Sequence, residues 1–367
     1  MEDKKQGKKI VVTGCLVERY YEDLKRDLPE VDLFIRIKDY KNFGQLVSSL
    51  FATSLTEGLD FNNRVLTTQK HFAYVKISEG CDNRCHYCAI PLIRGNFRSR
   101  KLESIVSEVK NLVSHGVKEI VLISQDTTRY GQDLPENTNL MTLLKKILKI
   151  DGLLYVRFLY LYLEEMPYDL IDFIAANPKI CRYFDIPIQH ASDKILKNMN
   201  RRDTKAEIRS KIEYIRLLMP KAIIRSTVIV GYPTENEIDY QELVAFIKEI
   251  HFDKLGVFTY SREEDTKAYD MPEQVDEATK QSRHDYLISI QEEISLKQNQ
   301  KHVDEIQVAI IEEKVETNLY LARSYAFAPD DIDGYLFVSS KENLSIGQVC
   351  EVVITSCDNY NLYSRLR

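Results

Sequence analysis

From about residue 70 the chain repeats one pattern: an apolar run of strand length, a polar loop, then a stretch with helical period. The apolar runs fall at His71 to Ile77, Glu119 to Ser124, Leu154 to Leu161, Tyr183 to Pro187, Ile223 to Val230 and Lys254 to Thr259. Helical periods lie between them at Glu103 to His115, Leu140 to Lys149, Tyr168 to Ala176, Lys205 to Leu218 and Glu237 to Ile250. Six β/α units in series predict parallel strands joined by right-handed crossovers, an open or partial TIM-like barrel with its chemistry at the carboxyl ends of the strands. A long polar helix from Glu277 to about Gln300 is expected to lead out of it.

The pattern changes on both flanks. Residues 8 to 60 open with the strand-like KKIVVTGC, pass through a helix near Glu18 to Leu28, and reach a second apolar stretch at Val31 to Ile37, a fragment of an α/β unit. The opening MEDKKQG is polar, is expected to be mobile, and supplies no earlier strand for Ile10 to Thr13 to pair with. From about His302 the chain turns to short alternating runs, IQVAII, YLARSY, GYLFVS and CEVVIT, broken at Asp333-Gly334 and Gly347. Such spacing predicts a small antiparallel β-barrel.

Composition adds limits. At 367 residues, 44% hydrophobic and 29% charged, the chain has the balance of a soluble globular protein of two or three domains. No run of about eighteen apolar residues spans a membrane. Three of the seven cysteines are grouped and no signal peptide is seen, which fits a reducing cytoplasm and metal ligation rather than disulfides. A net charge of -6 gives no overall attraction to phosphate backbones, so direct nucleic-acid binding is not expected. The segment from His302 to the end carries eleven acidic and five basic side chains, which suits a basic polypeptide partner.

The chemistry concentrates in CDNRCHYC, where Cys81, Cys85 and Cys88 share a short polar loop directly after the first barrel strand. Three thiolates so close can serve one metal centre and leave a coordination position open, as a reactive cluster requires. A closed zinc site needs a fourth ligand, and His86 lies too near along the loop to complete a relaxed tetrahedron. A 4Fe-4S cluster held by three cysteines keeps one iron free for a small molecule.

This CxxxCxxC motif, with Tyr87 before its last cysteine, resembles the radical S-adenosylmethionine superfamily. In that family the free iron chelates the amino and carboxylate groups of S-adenosylmethionine, and one electron splits the sulfonium to give a 5'-deoxyadenosyl radical. ISEGCDNRCHYCAIPLIRGNFRSR at Ile77 to Arg100, ISQDTTRYG at Ile123 to Gly131, IPIQHASDKILKNMNRR at Ile186 to Arg202 and IVGYPTE at Ile229 to Glu235 resemble its methylthiotransferase branch. The fold class implied is α/β: residues 1–65 a remnant of the N-terminal methylthiotransferase domain, 66–300 a partial (β/α)6 radical core, and 301–367 a TRAM-like barrel. IPLIRGNFRSR, FTYSREEDTKAY at Phe258 to Tyr269 and RSYAFAPDDIDG at Arg323 to Gly334 resemble the RimO-type subfamily. That implies methylthiolation of the β-carbon of an aspartate in the twelfth small-subunit ribosomal protein, with an electron donor and a sulfur source as further partners. The alternatives are a MiaB-type enzyme acting on tRNA adenosine and a non-catalytic ribosome-binding iron-sulfur module.

The resemblance makes Cys81, Cys85 and Cys88 the ligands of the radical-generating cluster and places Tyr87, Ser124, Gln125, Asp126, Gln189, Arg202 and Gly231 at the cofactor, with His190 a weaker candidate. Gly231 fits a close backbone approach; the family commonly has glycine where this chain has Thr234, so that loop is expected to differ in shape. Arg94, Arg98 and Arg100 are candidates to line the mouth and meet a carboxylate, though arginines are more often solvated surface. Cys15 resembles the third cysteine of the N-terminal domain, which binds a second 4Fe-4S cluster with two further cysteines. On that reading the sequence is N-terminally truncated, holds one cluster, and is expected to retain cofactor cleavage with methylthio transfer weak or absent. Cys181, Cys350 and Cys357 match no ligand position and read as small apolar side chains.

Overall fold

The computed structural model describes residues 8–51, 61–62, 64–135 and 138–367. The opening MEDKKQG, expected to be mobile, lies outside them. The N-terminal unit pairs β1 (Val11–Thr13) in parallel with β2 (Leu33–Ile35). The first strand thus finds its partner downstream, across α1 (Cys15–Arg19) and α2 (Tyr21–Asp27), where one helix was expected; α3 (Phe43–Ser48) closes the unit. Arg19 ties this unit to the barrel by donating to Glu263 Oε2 at 2.8 Å and to the Glu264 carbonyl at 2.7 Å.

The barrel begins with β3 (Phe72–Lys76), followed by a short antiparallel pair, β4 (Ser78–Glu79) and β5 (Arg98–Ser99), that pins both ends of the cysteine loop; α4 (Ile90–Arg94) lies inside that loop. Then come α5 (Leu102–Ser114), β6 (Glu119–Ile123), α6 (Leu140–Ile147), β7 (Tyr155–Phe158), α7 (Tyr168–Ala176), β8 (Tyr183–Gln189), α8 (Asp193–Asn198), α9 (Lys205–Leu218), β9 (Ile223–Val230), α10 (Glu237–Ile250) and β10 (Lys254–Thr259). All six barrel strands run parallel, as β3-β6-β7 and β8-β9-β10. The two trios meet where Val156 bridges Ile180 and the Leu161 N–H donates to the Asp185 carbonyl at 2.8 Å, so the arc is continuous. Burial on both faces explains the unbroken apolar run in β6, where Ile120, Val121 and Leu122 are 0% exposed. The helix starts are written locally: Thr204 with Glu207 and Asn236 with Asp239 form capping boxes at α9 and α10.

The polar helix α11 (Glu277–Gln300) does not lead away from the barrel but lies against it, burying Lys280, Arg283, Gln291, Ser295, Gln298 and Asn299. These side chains satisfy backbone carbonyls that the helix covers: Gln291 donates to the Phe252 carbonyl at 2.8 Å and Gln298 to the His251 carbonyl at 2.9 Å. The remaining strands, β11 (Ile306–Glu316), β12 (Leu319–Arg323), β13 (Leu336–Ser339), β14 (Val349–Cys357) and β15 (Leu362–Leu366), close a barrel in the order β11-β12-β13-β15-β14. The expected all-antiparallel pattern is corrected at β13 and β15, which pair in parallel. Strand directions cannot alternate all the way round a closed ring of five, so one pair must be parallel. Four apolar runs conceal this, because β15, LYSRL, is only five residues long and carries Ser364 and Arg365 in its middle. Among the described residues no helix is long and apolar enough to cross a membrane.

Candidate metal centre at the barrel mouth

Gly80 opens the cysteine loop at φ +77, and a Cβ there would lie 2.2 Å from the Asn96 carbonyl oxygen, so only glycine lets the chain turn against its own return path. The Cys81 N–H then donates to the Gly95 carbonyl at 3.1 Å and the Cys88 N–H to the Cys85 carbonyl at 3.0 Å. Cys81 and Cys85 are buried and Cys88 is half-buried, with no disulfide. Burial pushes the Cys81 thiol up to about 11; the Asn83 N–H works against this, and Asp126, Cys85 and Cys88 reinforce it. Burial also raises Cys88, with Cys85 adding to it. The three thiols therefore lie within electrostatic reach of one another in a poorly solvated pocket.

Among the described residues no three His, Cys, Asp or Glu side chains are grouped to hold a metal ion. Thiolates on one zinc approach to about 3.7 Å of each other, from a metal–sulfur distance of about 2.3 Å in a tetrahedron. In a 4Fe-4S cluster each thiolate ligates its own iron, so the sulfurs stand farther apart. The donor set, thiols alone, fits the cluster. His86 is occupied elsewhere: its N–H donates to the Met199 carbonyl at 3.0 Å and its Nδ1 lies 2.7 Å from the Asn198 carbonyl. Tyr87 turns inward, with its hydroxyl against Cys85 and its ring packed near Tyr232 and Tyr260.

Opposite the loop, the end of β6 presents Ser124, Gln125 and Asp126. Ser124 Oγ meets Ser78 Oγ in a short hydrogen bond and accepts from the Asp126 N–H at 3.1 Å. Asp126 is buried, and burial raises its carboxyl against the pull of Asn83 and Arg129. Gln125 Oε1 is a buried acceptor with no donor, as expected of an atom awaiting a ligand. No pattern in the loop singles out Asn83, yet it organises the site. Its Nδ2 donates to Asp126 Oδ2 at 2.8 Å, and its Oδ1 accepts from Arg129 at 3.3 Å and from Arg202 at 3.1 Å. Arg202 also reaches Glu165 at 3.1 Å. Gln189 sits at φ +69 where β8 slips register after Ile186, a strained strand end at the mouth.

Other candidates fall elsewhere. The close approach at Gly231 is made by α11: a Cβ there would lie 2.2 Å from Lys280 Cγ, and the Gly231 N–H donates to Glu235 at 2.8 Å. Thr234 takes the left-handed conformation that a glycine adopts without strain, φ +73. Asn198 and Lys194 hold it at 2.8 and 2.9 Å. His190 is fully buried, its Nδ1 accepting from the Ser192 N–H at 2.9 Å. Arg100 supports the loop from behind through Glu108 at 2.7 Å and the Lys76 carbonyl at 2.6 Å. Arg98 is exposed. Cys15 accepts from Arg94 Nη2 at 3.0 Å, which sets it beside the segment that follows the trio. Cys181 is buried in apolar surroundings, and Cys350 and Cys357 are half-buried on the terminal barrel. A cavity of about 610 Å³ lined by Arg225, Lys254, Gln291 and Tyr360 opens at the amino ends of β9 and β10, away from the cysteine loop.

Residues 75–247 match the Radical SAM superfamily and residues 305–366 a TRAM domain. The chain is 44% identical over 364 residues to the ribosomal protein uS12 methylthiotransferase RimO of Alkaliphilus oremlandii, covering 98% of this chain and 83% of that relative. It is 44% identical over 371 residues to the protein of the same name from Clostridioides difficile, again 98% and 83%. The Geobacter sulfurreducens protein of that name is 41% identical over 387 residues, covering 100% and 85%. Among solved structures, the cobalamin-dependent S-adenosylmethionine radical enzyme OxsB shares the fold, with a TM-score of 0.52 at 14% identity over 73% of this chain and 43% of that one. With identity of this level running nearly end to end across barrel and terminal domain, the chain belongs to the RimO-type radical SAM methylthiotransferases.

Proposed function

We propose that Cys81, Cys85 and Cys88 hold a 4Fe-4S cluster with one iron left open to S-adenosylmethionine, and that the chain adds a methylthio group to the β-carbon of an aspartate in ribosomal protein uS12. The observation that carries this is the 44% identity to uS12 methylthiotransferases over 98% of the chain. Three thiols on one loop at the carboxyl end of β3 support it. The matched ranges, 75–247 and 305–366, fall within a radical core assigned to 66–300 and a TRAM barrel assigned to 301–367, and residues 1–65 are assigned to an N-terminal methylthiotransferase segment.

When bound, cluster and cofactor supply radical chemistry that removes hydrogen from an unactivated carbon, which side-chain bases tuned near neutrality do not do. The chain's own residues bind and shape. Gln125 Oε1, a buried acceptor without a donor, is assigned to the cofactor's ammonium. Ser124 and Asp126 fix the strand end that carries it, and Asn83 couples that end to the cysteine loop and to Arg202. Gln189 completes the rim, while Tyr87 backs Cys85. The acidic terminal barrel favours a basic ribosomal polypeptide over a phosphate backbone. An electron donor and a sulfur source complete the reaction. Cys15, gripped by Arg94, is a single thiol outside the trio, and one cluster is assigned to this 367-residue chain.

Two measurements test the reading. Anaerobic reconstitution of this chain is expected to load about four irons, the content of one 4Fe-4S unit; about eight would contradict the single cluster. In a strain lacking the gene, mass analysis is expected to find uS12 without its methylthio group and tRNA unchanged, whereas a lost tRNA methylthio group overturns the substrate.

A further inference from the structure

Arg201 follows α8 and is buried beside the cysteine loop, with 3% of its side chain exposed. Its Nη2 donates to the Pro187 carbonyl at 3.2 Å and to Asp203 Oδ2 at 3.3 Å, and its guanidinium carbon stands 4.4 Å from the centre of the Tyr162 ring. Its Nε and Nη1 are buried with no partner. A guanidinium cannot shed its proton to escape burial, so two unmatched donor nitrogens on a fixed charge mark the place of a missing anion. One long contact to Asp203 does not supply it. The other groups within electrostatic reach are Tyr87, Tyr162, Cys85 and Glu164, a half-buried carboxyl that pairs with Arg202 rather than bonding Arg201, and Tyr87 itself lies against Cys85. The unmet charge therefore borders the thiol trio, whereas the neighbouring Arg202 is half-exposed, with 52% of its side chain open to water and paired to Glu165.

We infer that Arg201 is the buried counter-ion of the cluster held by Cys81, Cys85 and Cys88, a positioning residue whose free N–H groups face its anionic sulfurs and raise its reduction potential. This rests on the cluster assignment above. Three thiolates on an oxidised 4Fe-4S core of charge about +2 leave a net negative group, and taking up one electron makes it more negative. A fixed cation in a poorly solvated site stabilises the reduced form more than the oxidised form. Hydrogen bonds to cluster sulfur act in the same direction. The electron comes from an external one-electron reductant, dithionite in the test, and no covalent bond of Arg201 changes.

The parent chain, R201Q and R201K are reconstituted anaerobically, and iron per chain and the midpoint of a potentiometric titration followed by electron paramagnetic resonance are measured. The expected result is a midpoint shifted to more negative potential in R201Q and largely restored in R201K. A loaded R201Q with the parent's midpoint overturns the inference alone. A parent chain that takes up no iron overturns the cluster assignment and this inference with it. Should R201Q fail to fold, parent chain grown with arginine carrying the heavy nitrogen isotope is expected to show nitrogen coupling to the reduced cluster that disappears in R201K; no coupling in the parent overturns the inference.

Discussion

A thiol taken out of water holds its proton more tightly, and Cys81, 7% exposed, carries this to a folded value of about 11 against an ordinary 9.0, chiefly through burial. The metal-free fold therefore keeps the full contribution below about pH 9 and loses it as pH climbs through about 11, because only the folded state resists ionisation. Two units correspond to about 2–3 kcal/mol. Urea unfolding of the metal-free chain and of C81A at pH 8 and pH 11 is expected to show about 2 kcal/mol more alkaline loss in the parent, and equal losses would contradict it. The same burial explains why cluster loading must release protons. Asn83 lies two residues beyond Cys81 and joins it to Asp126, Arg129 and Arg202. Nothing in CDNRCHYC marks that asparagine apart from other loop polars, because its partners lie some forty and more than a hundred residues downstream.

At the scale of elements, α11 shows what local pattern conveys and what it does not. Its buried stripe is mostly polar, with Leu287 and Ile294 its only buried apolar members, so its apolar period is weak and it reads as a polar helix leading out of the barrel. In the fold Arg283 donates to Glu235 Oε1 at 2.8 Å, and Glu235, with its side chain 0% exposed, in turn holds the Gly231 N–H at 2.8 Å. The helix thereby locks the turn after β9. Arg283→Ala removes the guanidinium from a buried carboxylate that keeps the Gly231 and Tyr232 N–H groups and His190 Nε2 at 3.6 Å, and is expected to cost about 3 kcal/mol in urea unfolding, with much of the loss recovered in the double variant R283A/E235Q. Additive losses in the double variant would show that the pair is not coupled. The barrel strands were legible because burial on both faces imposes long apolar runs, and α9 and α10 because their caps are local. The cysteine trio was legible for the same reason, since its three thiols fall within eight residues. β15 was not, because its five residues include the polar Ser364 and Arg365, and the β4–β5 pair and Arg201 were not, because their partners are distant in sequence.

Across the whole molecule, the two barrels are joined by charge where apolar burial alone would leave their relative orientation loose. Arg157, 0% exposed, donates Nε to Glu119 at 2.9 Å and its other nitrogens to the Tyr325 and Ser324 carbonyls at 3.0 and 3.1 Å. Arg323 of the terminal barrel returns the contact, reaching Glu119 at 3.2 Å and Glu312 at 2.9 Å, and His71 lies 3.0 Å from the same Glu312. A second knot sets Asp333 against Tyr183 at 2.6 Å and Arg225 at 3.3 Å. Such networks contribute little net stability over an apolar substitute, yet they tolerate a single geometry, and removing one member strands the rest. The parent is accordingly expected to melt in one calorimetric transition, with the terminal barrel unfolding together with the core. Arg157→Met leaves Glu119 with Arg323 as its remaining cation, takes the Arg157 donor from the Tyr325 carbonyl and leaves the Ser324 carbonyl only the Phe327 N–H at 3.4 Å, at an expected cost of about 3–5 kcal/mol in urea unfolding. Because those lost contacts lie between the barrels, the variant is expected to show an earlier second transition for the terminal barrel. A single transition with less than about 1 kcal/mol of loss would mean that apolar packing around Phe72, Tyr155 and Phe327 couples the two barrels without the network.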